Sequence, residues 1–194
     1  MERFDMAIIP EVLFVFVMVI EGYIARKYFG PDKDSKILTN FFNKHFFYIM
    51  GLSMFLSFTA GYFFTGYYKI NYFHMVLFSV IGVIMFFVGY IYRVYSISYL
   101  GKYFSVRLMI QKNHCLVSSG PYTKIRHPSY LGGWVSLVGM AISSGNFATI
   151  LLVSTSTMIL YLVRISHEER ILLESIPEYK SYKSRTCAII PGII

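Results

Sequence analysis

The sequence predicts an all-α integral membrane protein of about five transmembrane helices in a single domain, residues 1–194. Of the 194 residues, 56% are hydrophobic and only 14% are charged, whereas a typical soluble domain has about 25% charged residues. The 18 Phe and 17 Tyr residues are more than a core of this size can bury, so we expect the surplus to face lipid.

The apolar runs set the predicted helices, because crossing about 30 Å of hydrocarbon takes roughly 20 helical residues. The predicted helices cover residues 6–25, 46–66, 72–92, 128–144 and 146–163. No small-x-small cleavage site follows the first run, so we expect it to remain as a span. The last two runs are joined only around Gly145, which predicts an antiparallel helical hairpin. Small residues such as Gly61 and Gly132 predict close helix contacts.

The positive charges predict the orientation, because cytoplasmic loops carry an excess of Lys and Arg. All but Arg3 and Lys69 of the 18 Lys and Arg residues follow the first, third or fifth predicted helix. We therefore expect the N-terminus outside and the C-terminus in the cytoplasm, in the cell membrane if the protein is prokaryotic. The net charge of +8 does not indicate a nucleic-acid partner, because no nucleic-acid-binding motif accompanies it. Cys115 and Cys187 lack a metal-binding spacing, so no metal is expected.

Residues capable of chemistry are concentrated before the fourth helix and at the end of the fifth. They read His114-x-Leu116-Val117-x-x-Gly120-x-Tyr122-x-x-x-Arg126-His127-Pro128-x-Tyr130 and then Arg164-x-x-x-Glu168-Glu169. Pro128 suits the first turn of a helix, and the residue before a proline is expected to be extended. The N–H groups of a helix start, together with Arg126 and His127, favour an anion.

Each of these features also has a structural interpretation. An Arg-His pair at a membrane boundary is typical of a topology anchor. Arg164 and Glu168, four residues apart on one helix face, are typical of a solvated pair. The hairpin, however, brings the start of the fourth helix beside the end of the fifth. The combination therefore favours a functional site in which cations and a carboxylate converge.

The run from His114 to Tyr130, followed by Arg164 and Glu168-Glu169, closely resembles the isoprenylcysteine carboxyl methyltransferase family, one of a wider set of membrane methyltransferases. The resemblance covers roughly the last ninety residues and is that of a compact prokaryotic member. It implies methyl transfer from S-adenosylmethionine to the C-terminal carboxylate of a prenylated cysteine or prenylated protein, with S-adenosylhomocysteine as the product, at the cytoplasmic face of the lipid membrane.

The same resemblance implies a role for individual residues. Arg164 matches the position associated with the substrate carboxylate. The cofactor-binding segments are 101–130 and 164–194, and the matching cofactor-binding positions are His114, Leu116, Val117, Tyr122, His127, Pro128, Tyr130 and Glu168. No strand followed by a glycine-rich turn occurs in the sequence, so helix ends and loops have to build this site.

Two other kinds of function stay open. An enzyme of the same build that methylates a lipid amine or another head group would not need Arg164 as a carboxylate partner. A non-enzymatic membrane scaffold would not bind S-adenosylmethionine in detergent. A small transporter is disfavoured by the absence of charge in the second and third predicted helices and of a duplicated half.

Overall fold

The computed structural model describes residues 3–28, 36–37, 41–65, 72–104, 109–110 and 116–190. The helices within these residues are α1 (Arg3–Tyr28), α2 (Phe41–Thr65), α3 (Tyr72–Leu100), α4 (Pro128–Ser143), α5 (Phe147–Ser175) and α6 (Tyr179–Lys183). Short 3-10 turns lie at Gly101–Tyr103 and Gly120–Thr123. The all-α class is confirmed, with one minor addition in the loops.

That addition is a two-residue antiparallel ladder between β1 (Lys36–Ile37) and β2 (Met109–Ile110). The first strand lies in the loop after α1 and the second in the connector after α3. Because they pair, both segments lie at the same end of the bundle. The predicted topology requires this arrangement, since it assigns both segments to the cytoplasmic side.

Two helices, α3 and α5, continue two turns or more past their predicted ends. α3 was expected to end at residue 92 and runs to Leu100, and α5 was expected to end at residue 163 and runs to Ser175. Both predicted ends stood directly before an arginine, Arg93 or Arg164, and both arginines are buried inside their helices. A charge that finds a partner inside the protein does not end a membrane helix. The true end of α5 is followed by an extended residue, Ile176 (φ −125°, ψ 104°), directly before a proline.

Among the described residues, three helices are long and apolar enough to span a membrane. These segments are His45–Phe63, Phe73–Leu100 and Phe147–Ser175. Large apolar side chains on them face outward, for example Phe55 and Ile91, which are 65% and 66% exposed. This surface belongs in lipid, and the protein is an integral membrane protein. Five crossings and the cytoplasmic C-terminus stay predictions, and α4, with 16 residues, is short for a full crossing.

Backbone contact between α3 and α4 fixes the position of the fourth helix. A Cβ added to Gly89 or Gly132 would lie 2.6 Å from a backbone nitrogen of the facing helix. At Gly82 and Gly139 the corresponding distances are 2.4 and 2.5 Å. Real Cβ atoms do not approach this closely, so a larger residue would separate the helices. The close contact expected at Gly132 is therefore present, and α4 is seated firmly on α3.

The second helix is fixed to α5 in a similar way. A Cβ on Gly61 would lie 1.7 Å from Oγ1 of Thr149. Asn146 donates from Nδ2 to the Gly61 carbonyl oxygen (2.7 Å) and accepts at Oδ1 from the Thr149 backbone N–H (3.1 Å). One side chain thus caps the start of α5 and ties it to α2.

A buried ion pair joins α1 to α3. Arg93 was expected in a loop, but it lies inside α3 and donates from Nε to Glu21 Oε1 (2.7 Å) and from Nη2 to Glu21 Oε2 (2.9 Å). Its Nη1 also donates to the carbonyl oxygen of Ser129 in the first turn of α4 (3.2 Å). The bidentate ion pair gives the buried arginine its partner, and with the bond to Ser129 it links three helices at one point.

We expect Glu21→Gln to lower the thermal stability of the detergent-solubilised protein strongly. It leaves the buried Arg93 without a compensating charge, which costs about 3–5 kcal/mol in buried pairs. The 18% exposure of the Glu21 side chain favours the lower end. Glu11→Gln, at an exposed position of the same helix, is the control and should change little. Removing both charges in Glu21→Gln/Arg93→Met should recover part of the loss, and equal melting temperatures for all variants would contradict the assignment.

Candidate active site

A cavity of about 110 Å³ lies where the end of α3, the connector, the start of α4, the end of α5 and the C-terminal tail meet. This volume is several times the space that one buried water needs. Polar and apolar groups both contribute to its wall, which consists of Leu100, Tyr103, Phe104, Leu116, Val117, Tyr122, Arg126, His127, Ser129, Tyr130, Glu168, Ile171, Leu172, Ile176, Tyr179 and Tyr182.

Most of the residues singled out in the sequence meet at this cavity. Its wall includes Leu116, Val117, Tyr122, His127, Tyr130 and Glu168. Pro128 is buried behind them at the first position of α4, as expected for a proline. Arg164 is not among the described wall residues, and His114 lies outside the described residues. That these positions bind a cofactor remains a prediction.

The start of α4 is not the open anion site expected from the sequence. The backbone N–H groups of Arg126 and His127 donate to the carbonyl oxygens of Cys187 (2.8 Å) and Ala188 (3.0 Å) in the tail. Nor is His127 fully extended, since its ψ is 57°. Its carbonyl turns to accept from the N–H groups of Tyr130 (3.1 Å) and Leu131 (3.2 Å). The tail therefore uses the two N–H groups directly before the helix, and the His127 carbonyl uses two of those in its first turn.

The positive charge of Arg126 is also used within the protein. Its Nε donates to Glu169 Oε1 (2.6 Å), and Lys183 Nζ lies 2.6 Å from the other oxygen, Glu169 Oε2. Arg126 Nη1 donates to the carbonyl oxygens of Thr186 and Lys183 as well. We call Arg126, Glu169 and Lys183 the tail clasp. It holds the C-terminal segment against the bundle and so completes one wall of the cavity.

The two glutamates at the end of α5 therefore differ in what they can do. Glu169 is 6% exposed and belongs to the clasp, whereas the side chain of Glu168 is 29% exposed and lies in the cavity wall. The ring of His127 lies between them, with Nε2 3.3 Å from Glu169 Oε1 and Nδ1 3.9 Å from Glu168 Oε2. Of the two, Glu168 is the carboxylate that a ligand can reach.

A tyrosine hydroxyl joins Arg164 to Glu168. The structural interpretation of their spacing was a direct Arg164–Glu168 pair. In the structure Arg164 Nε donates to Tyr130 Oη (2.9 Å), and Tyr130 Oη donates to Glu168 Oε2 (2.9 Å). The ring of Tyr130 stacks between His127 (5.5 Å between centroids) and Tyr161 (5.1 Å). Tyr130 therefore stands between the cavity, with Glu168, and the buried arginine behind it.

Behind Tyr130, aromatic rings of α2 surround Arg164. Its guanidinium carbon lies 4.4 Å from the ring centroid of Phe46 and 5.8 Å from that of Phe47. Both distances are within the range of a cation–π contact. Sequence reasoning missed these residues, because a phenylalanine in an apolar helix that already contains many gives no distinguishing signal.

The C-terminal tail supplies aromatic residues to the opposite wall. Tyr182 Oη donates to the Tyr122 carbonyl oxygen (2.5 Å), and Tyr122 Oη donates to the Ser96 carbonyl oxygen (3.1 Å). The hydroxyl of Tyr179, a residue 2% exposed, is buried and has no hydrogen-bond partner among the described residues. The pKa of Tyr179 is raised by burial and then by the nearby carboxylates, so this hydroxyl stays a donor at neutral pH.

The sequence contained a signal for this wall. Leu172, Ile176 and Tyr179 follow the spacing of one helix face and indicate a tail helix, which Pro177 is expected to break or restart. In the structure Ile176 lies just after the end of α5, and Tyr179 begins α6. The three residues do pack together, in a cluster with Leu116 and Tyr182. The apolar grouping and the break of the helix at Pro177 both agree with the prediction.

Comparison with known proteins adds the family. Residues 80–174 match the family model for isoprenylcysteine carboxyl methyltransferases. The chain is 30% identical over 128 residues to the protein-S-isoprenylcysteine O-methyltransferase of Schizosaccharomyces pombe, covering 56% of this chain and 54% of that protein. It is 31% identical over 83 residues to the cobalt-zinc-cadmium resistance protein CzcN of Cupriavidus metallidurans, covering 43% and 38%. The aligned parts thus span about half or less of the length of these relatives.

A solved structure has the same fold over nearly the whole chain. The eukaryotic intramembrane Ras methyltransferase ICMT superposes with a TM-score of 0.63 at 24% identity, over 95% of this chain and 68% of that one. The family match contains Tyr130, Arg164 and Glu168, the residues joined by hydrogen bonds at the cavity. The resemblance found in the sequence is confirmed: residues 80–174 match the isoprenylcysteine carboxyl methyltransferase family, and the chain is similar to members of that family in sequence and in fold.

Proposed function

We propose that the protein transfers a methyl group from S-adenosylmethionine to the C-terminal carboxylate of a prenylated cysteine at the cytoplasmic face of the membrane. The observation that carries the proposal is the hydrogen-bonded series Arg164–Tyr130–Glu168. It separates the Glu168 carboxylate, in the cavity, from the buried Arg164 cation on the side of the membrane helices. The methyl donor has a cationic amino group that a carboxylate can bind, and the acceptor has a carboxylate that a cation can bind.

The residues of the cavity fit the methyl donor. Glu168 can accept hydrogen bonds from an amino group or from ribose hydroxyls. Leu116, Val117 and Ile176 offer apolar surface of the kind that covers a purine ring. The buried Tyr179 hydroxyl lacks an acceptor among the described residues, and a bound nucleoside would supply one. A buried donor left unpaired is costly, so binding of a ligand at this wall would explain why a hydroxyl is buried there.

The chain itself has little acid–base chemistry to perform. When bound, S-adenosylmethionine supplies a methyl group whose bond to sulfur breaks, with its electron pair, as the acceptor oxygen bonds to the carbon. Arg164 binds the acceptor carboxylate, which is already ionised at neutral pH because its pKa is about 3.5. The planar guanidinium can bind both carboxylate oxygens at once. The remaining contribution of the protein is alignment and the exclusion of water.

The acceptor side of Tyr130 lies next to lipid-facing surface. Phe47 contacts Arg164 and is 45% exposed on a membrane helix. This arrangement supports lateral entry of a prenyl chain from the bilayer. It also favours an acid over an amine as the acceptor, because an amine would give the buried Arg164 no carboxylate to bind.

A substrate panel tests the proposal directly. Purified protein is incubated with labelled S-adenosylmethionine and, separately, with N-acetyl-S-farnesyl-cysteine, N-acetyl-cysteine and a lipid amine. We expect base-labile methyl ester on the prenylated compound and far less on the unprenylated one. Equal turnover of both would contradict lipid recognition, and label on the amine alone would identify an amine methyltransferase. A protein that binds no S-adenosylmethionine would be a scaffold.

Donor binding should depend on the cavity wall. Glu168→Ala should weaken binding of S-adenosylhomocysteine by about 1.5–3 kcal/mol and Tyr179→Phe by about 0.5–1.5 kcal/mol, the usual values for charged and neutral hydrogen bonds. Isothermal titration calorimetry in detergent measures both, with Glu174→Ala, exposed on the same helix as Glu168, as the control. Without ligand, Tyr179→Phe should not lower the melting temperature, whereas Tyr182→Phe should, because it loses a protein acceptor. Unchanged affinity in both cavity variants would remove the donor site.

Arg164 should matter for the acceptor and not for the donor. We expect Arg164→Ala and Arg164→Lys to reduce kcat/KM for N-acetyl-S-farnesyl-cysteine by about tenfold to a hundredfold. This is the scale of a lost charge-assisted hydrogen bond. Folding and S-adenosylhomocysteine affinity should stay near those of the wild type. If the arginine were structural, Arg164→Ala would lower stability and donor binding together, and Arg164→Lys would restore both. A fully active Arg164→Ala protein would refute the acceptor role.

A further inference from the structure

Phe46 belongs to the part of the chain that the family model does not match. It lies on α2, before residue 80, and its ring centroid is 4.4 Å from the Arg164 guanidinium carbon, closer than that of Phe47. Phe46 and Arg164 are each only 3% exposed. The contact is therefore desolvated, and this is the environment in which a cation–π interaction is strongest.

We propose that Phe46 is a positioning residue for Arg164, and that α2 thereby forms one wall of the acceptor site. The inference rests on the proposed function, because it gives Arg164 the acceptor carboxylate as its ligand. The electron-rich face of the Phe46 ring holds the guanidinium in the orientation in which the carboxylate meets it. The site then selects an acid that is attached to an apolar chain.

The Arg164 guanidinium is contacted both at its edge and on its face. Its Nε edge donates to Tyr130 Oη, and the Phe46 ring lies against its carbon at 4.4 Å. The ring contact restricts the tilt of the guanidinium plane, which the edge bond does not fix. When the guanidinium is already oriented, binding of the acceptor costs less conformational entropy of the Arg164 side chain. Tyr130 and Phe46 thus act on the same group from two different helices.

The position of Phe46 relative to Arg164 is fixed along the whole of α2. At one end of the helix Gly61 contacts Thr149 of α5, as described above. At the other end the Phe46 ring lies 6.0 Å from that of Tyr161, and the Phe42 ring stacks on His167 at 5.9 Å. Tyr161 and His167 flank Arg164 on α5. Since α2 follows α5 on both sides of the arginine, small movements of the bundle carry the ring and the cation together.

The neighbouring phenylalanine links this cation to the bilayer. Phe47 also approaches Arg164, at 5.8 Å, but it is 45% exposed to the lipid-facing side. One helix turn therefore presents a buried ring that orients the cation and an outward ring beside it. An acceptor whose carboxylate and hydrocarbon chain are close together fits this arrangement, and a water-soluble acid would leave the outer ring without a partner.

Fluorination of the Phe46 ring distinguishes its electrostatic effect on Arg164 from its contribution to packing. Replacing Phe46 with 4-fluoro-, 3,4-difluoro- and 3,4,5-trifluorophenylalanine withdraws electron density from the ring face and changes its shape little. We expect kcat/KM for N-acetyl-S-farnesyl-cysteine to fall stepwise, about three- to thirty-fold in total, on the scale of a cation–π contact. Affinity for S-adenosylhomocysteine, measured by calorimetry, should stay constant. The same series at Phe86, which is fully buried in the core, should show no trend with fluorine number.

The outcomes distinguish this inference from the function on which it rests. A flat series at Phe46 in an enzyme that esterifies the farnesylated substrate would overturn the inference alone. A stepwise loss that donor affinity follows in parallel would also overturn it, because Phe46 would then act through general stability. A wild-type protein that forms no methyl ester would overturn the proposed function, and the inference with it.

Discussion

The Tyr130 hydroxyl is bonded to an arginine and a glutamate at once, and the rest of the site depends on the direction of those bonds. A guanidinium can only donate and an ionised carboxylate can only accept, so the phenolic proton has to point toward Glu168. Hydrogen bonds arranged in series strengthen one another in a low-dielectric interior. A neutral group thus holds the cation and the carboxylate apart. Had Arg164 and Glu168 met directly, each would have neutralised the other, and neither would be available to a ligand.

This arrangement depends on where the first turn of α4 lies. Backbone-to-backbone glycine contacts seat α4 on α3, and Arg93 holds the Ser129 carbonyl oxygen while it pairs with Glu21. Tyr130 is the next residue after Ser129. The buried ion pair is therefore more than a link between helices, because it anchors the segment from which Tyr130 reaches both partners. A shift of α4 along α3 would move the hydroxyl away from α5 and break the series.

Much of this could be predicted from the sequence, and the failures have identifiable physical causes. Hydropathy predicted the helices, and Pro128 predicted where α4 begins. The ends of α3 and α5 were wrong because a charge in an apolar run was interpreted as a boundary, whereas Arg93 and Arg164 have partners inside the bundle. The contact between Phe46 and Arg164 joins residues far apart in sequence and leaves no periodic pattern. The division of roles between Glu168 and Glu169 depends on Lys183 in the tail, which no spacing rule connects to them.

The Lys183–Glu169 contact of the tail clasp and the Glu21–Arg93 pair are ion pairs in two different environments. Lys183, whose side chain is 42% exposed, carries its charge at the aqueous edge of the bundle, where dissolved ions screen it. Glu21 and Arg93 lie between membrane helices, beyond the effective reach of such screening. Ionic strength therefore weakens the Lys183–Glu169 contact more than the Arg126–Glu169 contact, whose side chains are 8% and 7% exposed, and more than the Glu21–Arg93 pair. Salt at the membrane surface thus acts on the outer half of the clasp, while Arg126 keeps the tail attached to the bundle.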